Sequence, residues 1–93
     1  MKEDFLHFLW QNRYLQSDLK TTDGEGIVVK KTGSLNHDSG PDFLAAQLKI
    51  DNQEWVGNVE IHLKSSDWYA HNHQNDEAYQ NVILHVVWQH DKE

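Results

Sequence analysis

The first part of the chain carries apolar residues at the spacing of an amphipathic α-helix. The positions that follow this spacing are Phe5, Leu6, Phe8, Leu9 and Trp10. Side chains three and four positions apart lie on one face of a helix, so these residues form a single apolar stripe. The pattern predicts a helix over residues 2–14 that packs Trp10 into the core.

Shorter apolar segments follow, and turn-forming residues separate them. Segments 19–22 and 26–31 flank Asp23-Gly24, a pair that is favoured in tight hairpin turns. Residues 32–41 are rich in Gly, Ser, Asn, Asp and Pro, which predicts a loop. This part of the chain is therefore expected to be a hairpin followed by a loop.

Two longer strands are predicted in the middle of the chain. The first covers residues 42–50, and its alternate residues Leu44, Ala46, Leu48 and Ile50 are expected on one side. A turn at residues 51–53 leads into a strand over residues 54–63. The two strands should therefore pair as a hairpin.

The last third of the chain predicts a helix and a buried strand. Residues 65–67 offer oxygens that suit the start of a helix, which is expected from about Trp68 to Gln80. Residues 81–89 are nearly continuous in apolar character, as in a strand buried on both faces. The intervening segment is long enough for a crossover, so the last strand should run parallel to the strand that ends at Leu63.

This order of elements predicts an α/β fold in one domain over residues 1–93. The expected architecture is a mixed four- to five-stranded sheet with helices on both faces. More chain usually follows such a last strand, so we expect the sequence to be the N-terminal fragment of a longer protein. An uncovered last strand also favours self-association, because unpaired strand edges tend to pair.

The charge balance limits the partners that are expected. The chain has 8 Lys and Arg against 15 Asp and Glu, a net charge of -7. A protein that grips a nucleic-acid backbone usually has a basic face, so any nucleic-acid binding is expected to be weak. No cysteine is present, no apolar stretch approaches the about 18 residues of a membrane span, and the start is not a signal peptide. A cytoplasmic protein with no membrane partner is expected.

Two segments carry the candidate chemistry, Gly40-Pro41-Asp42 and the run from Glu60 to Lys64. Side chains alternate along a strand, so Glu60, His62 and Lys64 should point to the same side of the sheet. Two carboxylates near a base or a cation suit a hard divalent ion and an attacking water. The combination predicts metal-assisted hydrolysis of a phosphodiester.

The element order and these two segments resemble the PD-(D/E)XK nuclease-like superfamily. The resemblance implies a restriction-endonuclease-like αβββαβ core in which Asp42 is the first metal-binding acid and Glu60 is the second. It implies that both carboxylates and the carbonyl of Ile61 bind Mg²⁺ or Mn²⁺. His62 stands where the superfamily usually has lysine, so either His62 or Lys64 would position the water.

A closer resemblance is to a bacterial family catalogued as a domain of unknown function, family 2851. The segments that carry it are 19–24, 36–43 and 57–68. Members of that family are considerably longer than this chain. No activity is established for them, so the resemblance implies none here.

The same residues also have non-catalytic interpretations. Asp42 after Gly-Pro can simply end a turn, and Glu60 can face water if its side of the sheet is open. His62 and Lys64 can form an ordinary charge cluster with Glu60. The sequence therefore leaves two functions open: a metal-dependent phosphodiesterase or nuclease-like domain, and a catalytically inactive scaffold or interaction module.

The other histidines are weaker candidates on sequence grounds. His71 and His73, with Asp76 nearby, suggest a transition-metal site. Residues two positions apart do not share a helical face, however, and no cysteine supports structural zinc, so the sequence argues against a zinc site. His85 is expected to bond to a neighbour, and the loop conformation decides whether His37 reaches the site.

The tryptophans are mostly predicted to be core residues. Trp10 lies on the apolar face of the first helix and Trp88 on the buried last strand. Trp55 and Trp68 lie on either side of Glu60 along the chain and offer stacking surfaces for a base or a sugar. Sugar or peptide binding through this pair is a third option for the function.

Overall fold

The chain folds into short helices and a strand meander that ends in a crossover. The computed structural model describes residues 2–15 and 19–91. The elements are α1 (Glu3–Gln11), β1 (Ile27–Lys31), β2 (Ser34–Leu35), β3 (Phe43–Ile50), β4 (Gln53–Lys64), α2 (Asp67–Ala70) and β5 (Val82–Gln89). Two 3-10 turns, His73–Asn75 and Glu77–Tyr79, lie between α2 and β5.

The strands form one mixed sheet of five strands in the order β1-β3-β4-β5, with β2 paired to β3. β3 and β4 are antiparallel and meet at a tight turn, where Asp51 and Asn52 both have positive φ. β4 and β5 are parallel, as a crossover between them requires. The predicted mixed α/β fold class is confirmed.

The main core lies between α1 and one face of the sheet. Leu6 and Trp10 are buried and face the inward side chains of β1, β3, β4 and β5. The sheet contributes Val29, Phe43, Ala46, Leu48, Val59, Ile61 and Val86. The indole nitrogen of Trp10 donates to the carbonyl of Thr32, so this large side chain is buried without losing its hydrogen bond.

α1 is shorter than the predicted helix over residues 2–14. The helix ends at Gln11, and Arg13 has a φ of 65°. The Arg13 guanidinium donates to the carbonyls of Val29 and Lys30 on β1. These bonds tie the residue just after the helix to β1.

A bulge near the start of β3 changes which of its residues face the core. Phe43 and Ala46 are both buried, although simple alternation would place them on opposite faces. The register with β4 shifts between them, and Ala45 has a φ of 56°. Leu44, expected on the core side, is therefore exposed. The predicted loop over residues 32–41 also contains the short strand β2.

The predicted helix from Trp68 to Gln80 is wrong. α2 stops at Ala70, and Asn72 adopts the left-handed conformation with a φ of 57°. A left-handed residue reverses the local direction of the backbone, and asparagine tolerates this conformation better than most residues. The crossover (residues 65–81) is therefore a series of short turns.

β5 is an edge strand rather than the predicted interior strand. Of its side chains, all of which the structure describes, Val86 is buried and Trp88 is 62% exposed. β5 pairs with β4 on one side, and no other described strand pairs with it. The prediction that Trp88 is a core residue is therefore wrong.

Candidate functional site

β4 presents different side chains to the two faces of the sheet. Val59 and Ile61 point into the core under α1, and Glu60 and His62 point to the opposite face. The crossover covers that face. Glu60 is 3% exposed and His62 is 2% exposed, so both polar side chains are almost completely buried.

Asp42 is held in place by the turn that precedes β3. Gly40 has a φ of 104°, which favours glycine, and Pro41 is buried. The Asn36 side chain donates to the carbonyls of Ser39 and Pro41, and the Asn36 amide donates to the carbonyl of Asp42. The aspartate therefore starts β3 at a defined position.

The structure brings Asp42 and Glu60 together. The amide of Asp42 donates to Oε1 of Glu60 at 3.2 Å, and Oδ2 of Asp42 accepts from the amide of Ile61 at 2.8 Å. These bonds occur where β4 extends beyond its pairing with β3. The N–H and C=O of a strand residue point to the same side, so the carbonyl of Ile61 also lies on the side of Asp42.

Two imidazoles contact the other oxygen of Glu60. Oε2 lies 3.2 Å from Nε2 of His62 and 2.8 Å from Nε2 of His73. Nδ1 of His62 lies 2.7 Å from Nε2 of His85. The parallel pairing of Glu60 with His85 puts that histidine on the same face, so the expected bond of His85 to a neighbour is observed.

His71 completes a cluster with His62 and His73, and we refer to these three residues as the histidine trio. One ligand nitrogen from each lies within 4.8 Å of the others. Sequence reasoning dismissed His71 and His73 because it assumed a continuous helix. The helix is in fact interrupted, because Asn72 between them is left-handed. Both imidazoles therefore contact His62 on β4.

Burial sets the acidity of Glu60 and His62. The pKa of Glu60 is raised to about 7, because burial, the largest effect, and the neighbouring Asp42 together outweigh the lowering effect of His62. Burial lowers the pKa of His62, but the adjacent Glu60 outweighs that effect and the pKa is raised overall. Both pKa values are therefore above their ordinary values, so each group keeps its proton to a higher pH than it would in water.

Burial also shifts the other groups on this face. It lowers the pKa of His85 to about 4, with His62 and His73 adding to the shift. It lowers the pKa of His73, again with help from neighbouring histidines. It raises the pKa of Tyr79 to about 12, and nearby carboxylates add to that shift. His85 and His73 are therefore neutral at pH 7 and Tyr79 keeps its proton.

His7 is a site residue that sequence reasoning missed. Its Nε2 lies 3.3 Å from Oδ2 of Asp42, and its ring meets the edge of Phe43. His7 lies on the amphipathic helix α1, and nothing in the local pattern distinguishes it from a surface residue. Only the packing of α1 on the sheet brings it to Asp42.

Lys64 and His37 form no hydrogen bond or ion pair with the two carboxylates among the described residues. Lys64 is exposed, and its side chain forms no ion pair among the residues that the structure describes. Its amide donates to Asp67. His37 is also exposed and lines the same surface depression as His7. Neither residue contacts Asp42 or Glu60 in the described part of the chain.

The two tryptophans of the third option have different surroundings. Trp68 packs against His73, His85 and Tyr79, so it forms a wall of the histidine cluster. Trp55 is 43% exposed and pairs with Leu48 across β3 and β4. Trp68 therefore supports the site, but it is partly exposed and lines a surface cavity, so a stacking role for it stays a prediction.

Comparisons with known proteins give one result. No curated protein and no solved structure matches the chain. No helix within residues 2–15 and 19–91 is both long enough and apolar enough to span a membrane. The model of one protein family matches residues 3–93. The chain therefore belongs to the family described as "Protein of unknown function (DUF2851)".

Proposed function

We propose that this protein is a metal-dependent phosphodiesterase with a nuclease-like site at Asp42 and Glu60. The observation that carries the proposal is the contact between these residues, in which Oε1 of Glu60 accepts from the amide of Asp42. The two residues are far apart in the sequence, and the fold joins them beside His62. The resemblance to the PD-(D/E)XK superfamily supports the same choice of residues.

A divalent cation fits this pair on electrostatic grounds. Asp42 raises the pKa of the buried Glu60, which means that the two carboxylates repel each other when both are ionised. A Mg²⁺ or Mn²⁺ ion held by Asp42, Glu60 and the carbonyl of Ile61 removes that repulsion. When bound, such an ion polarises a phosphate and lowers the pKa of an attacking water.

The protein's own groups orient the reactants. Asp42 is held by the Ile61 amide and faces His7, so its carboxylate keeps one direction. His62 is held by His85 and directs Nε2 toward Glu60, where it positions the water. Lys64, the alternative for this role, is exposed and serves only if its flexible side chain folds back over the site.

Cleavage of supercoiled plasmid in Mn²⁺ or Mg²⁺ tests the proposal. We expect the 93-residue chain to nick plasmid and the Asp42→Asn and Glu60→Gln variants to fall to background. His37→Gln is a matched control, because this histidine is exposed and forms no hydrogen bond or ion pair with either carboxylate in the described part of the chain. Equal cleavage by wild type and Glu60→Gln would assign the activity to another site or to a contaminant.

A catalytically inactive scaffold is the second candidate, and the burial of Glu60 and His62 favours it. A substrate phosphate needs access to the metal, yet both residues are at most 3% exposed. The net charge of -7 also disfavours a nucleic-acid partner. The scaffold predicts that metal changes the stability of the chain and that no plasmid, oligonucleotide or small phosphodiester is cleaved.

A further inference from the structure

We propose that the histidine trio and Glu60 form a binding site for a transition metal ion of the zinc class. This site goes beyond the proposed hydrolase, because it needs neither a substrate nor turnover. The trio offers three imidazole nitrogens within 4.8 Å of one another. Nitrogen ligands of a four-coordinate zinc lie about 3.4 Å apart, so small side-chain rotations bring the trio to binding distance.

Glu60 supplies the fourth ligand. Its Oε2 lies 3.2 Å from His62 Nε2 and 2.8 Å from His73 Nε2. Among the residues that the structure describes, Nε2 of His73 nevertheless has no hydrogen-bond partner, although this side chain is only 9% exposed. The short distance without hydrogen-bond geometry means that the two groups do not point at each other. Ligands of one four-coordinate ion lie about 3.4 Å apart, so a bound cation would separate these two groups slightly and direct both of them at the ion.

The surroundings hold the imidazoles as a metal site requires. His62 uses Nδ1 to bond His85, which leaves Nε2 to face the cluster. Ligating histidines almost always bond a second group through their other ring nitrogen. Tyr79 stacks on His73 with ring centroids 3.8 Å apart, and its hydroxyl donates to the carbonyl of Gly40. The trio is therefore braced from both β5 and the turn before β3.

The donor set decides the class of metal. Three neutral imidazoles and one carboxylate carry a net charge of about -1, which offsets half of the charge of a divalent ion. Imidazole nitrogens suit zinc and neighbouring transition metals, whereas Mg²⁺ prefers oxygen ligands and keeps several waters. Glu60 and His62 are shared with the proposed hydrolase site, since Oε2 of Glu60 faces the trio and Oε1 faces Asp42. Nε2 of His62 has one lone pair, so it either binds the transition metal or positions the water.

Metal titration tests the site without reference to activity. The metal-free 93-residue chain is titrated with Zn²⁺ against a chromophoric chelator, and with Co²⁺ while the visible absorption is recorded. We expect one equivalent of Zn²⁺ to bind and Co²⁺ to give the intense bands of a four-coordinate site. His71→Gln should weaken Zn²⁺ binding at least about tenfold, because even losing a supporting residue costs that much.

The controls separate this site from the proposed hydrolase. His71 and His37 are both exposed, so His71→Gln and His37→Gln should both fold, and His37→Gln should bind Zn²⁺ like wild type. Asp42→Asn should keep Zn²⁺ binding even if it abolishes nicking. Zn²⁺ binding that His71→Gln leaves unchanged would overturn the site, and so would the absence of saturable binding in wild type. If Asp42→Asn loses nicking but still binds Zn²⁺, that result supports a zinc site that is separate from Asp42.

Discussion

At the scale of single residues, Glu60 links two sets of neighbours through its two carboxylate oxygens. Oε1 accepts from the amide of Asp42, and Oε2 contacts the imidazoles of His62 and His73. A buried ionised carboxylate is costly unless it is bonded or neutralised. The imidazoles, a proton or a metal ion can each meet that need. Glu60 is therefore the residue at the centre of both proposed sites.

Asp91 is a second residue whose environment makes a testable prediction. Its carboxylate accepts from the amide and hydroxyl of Ser66 and from the hydroxyl of Ser65, and these bonds lower its pKa to about 2. The folded-state pKa lies below the ordinary value of 3.8, so Asp91 stabilises the fold fully above about pH 4. That contribution is lost as the pH falls toward 2.

We expect Asp91→Asn to lower the urea midpoint of unfolding at about pH 7 and to match wild type near pH 2. The measurement is a series of urea unfolding curves between these pH values. Asp38→Asn is the matched control, because Asp38 is exposed and its carboxylate accepts no hydrogen bond among the described residues. An Asp91→Asn curve parallel to wild type across the whole range would contradict the prediction.

At the scale of elements, the crossover between β4 and β5 is the part that builds the site. A continuous helix would have pointed His71 and His73 in different directions. The left-handed Asn72 instead lets both rings approach β4. The parallel pairing of β4 and β5 then adds His85 beside Glu60. The site therefore depends on close contact between these two strands.

The contact between β4 and β5 can be tested at Gly57. A side chain at this position would collide with Ile83 at the start of β5 and with Asn81 just before it. A Cβ at this position would lie 2.5 Å from Cγ2 of Ile83 and 2.9 Å from the carbonyl of Asn81. We expect Gly57→Ala to lower the free energy of unfolding by about 1–3 kcal/mol, the usual cost of overpacking. Urea unfolding measures the change.

Gly26→Ala is the matched control for this substitution. A Cβ at Gly26 would have no other atom within 4 Å, and this glycine has no positive φ. Alanine there should leave stability unchanged or raise it by up to about 1 kcal/mol, because it restricts the unfolded chain. Equal effects at both glycines would mean that β4 and β5 do not pack as described.

At the scale of the whole molecule, the sheet has one face under α1, another under the crossover, and an edge at β5. Trp88 on this edge strand is 62% exposed. Unpaired edge strands with apolar side chains tend to pair with other strands. The acidic net charge of -7 opposes association, and salt screens that repulsion.

We therefore expect the chain to self-associate through β5, more strongly at high salt than at low salt. Sedimentation velocity at several concentrations measures this association. Trp88→Lys should weaken it, because a lysine on an edge strand disfavours strand pairing. Val56→Lys is the control, since Val56 is 68% exposed but lies on β4 rather than on the edge. A chain that stays monomeric at every concentration would contradict the expectation.

Local patterns were enough to predict several features of this protein. The apolar stripe of α1, the hairpin of β3 and β4, and the parallel pairing of β5 follow from residue spacing and segment length. The alternation of β4 also put Glu60 and His62 on one face. These features depend on neighbours in the sequence, so the sequence alone indicates them.

The remaining features depend on contacts between distant residues. β3 bulges at Ala45, where its register with β4 shifts, and β5 is an edge because no other described strand pairs with its outer side. His7 reaches Asp42 through the docking of α1, and His71 and His73 meet His62 through the turn at Asn72. Spacing along a chain cannot report such contacts, because they arise when separate elements pack. Residue spacing therefore indicates α1, the long strands and the face on which Glu60 lies, whereas the packing of separate elements fixes which histidines surround Glu60.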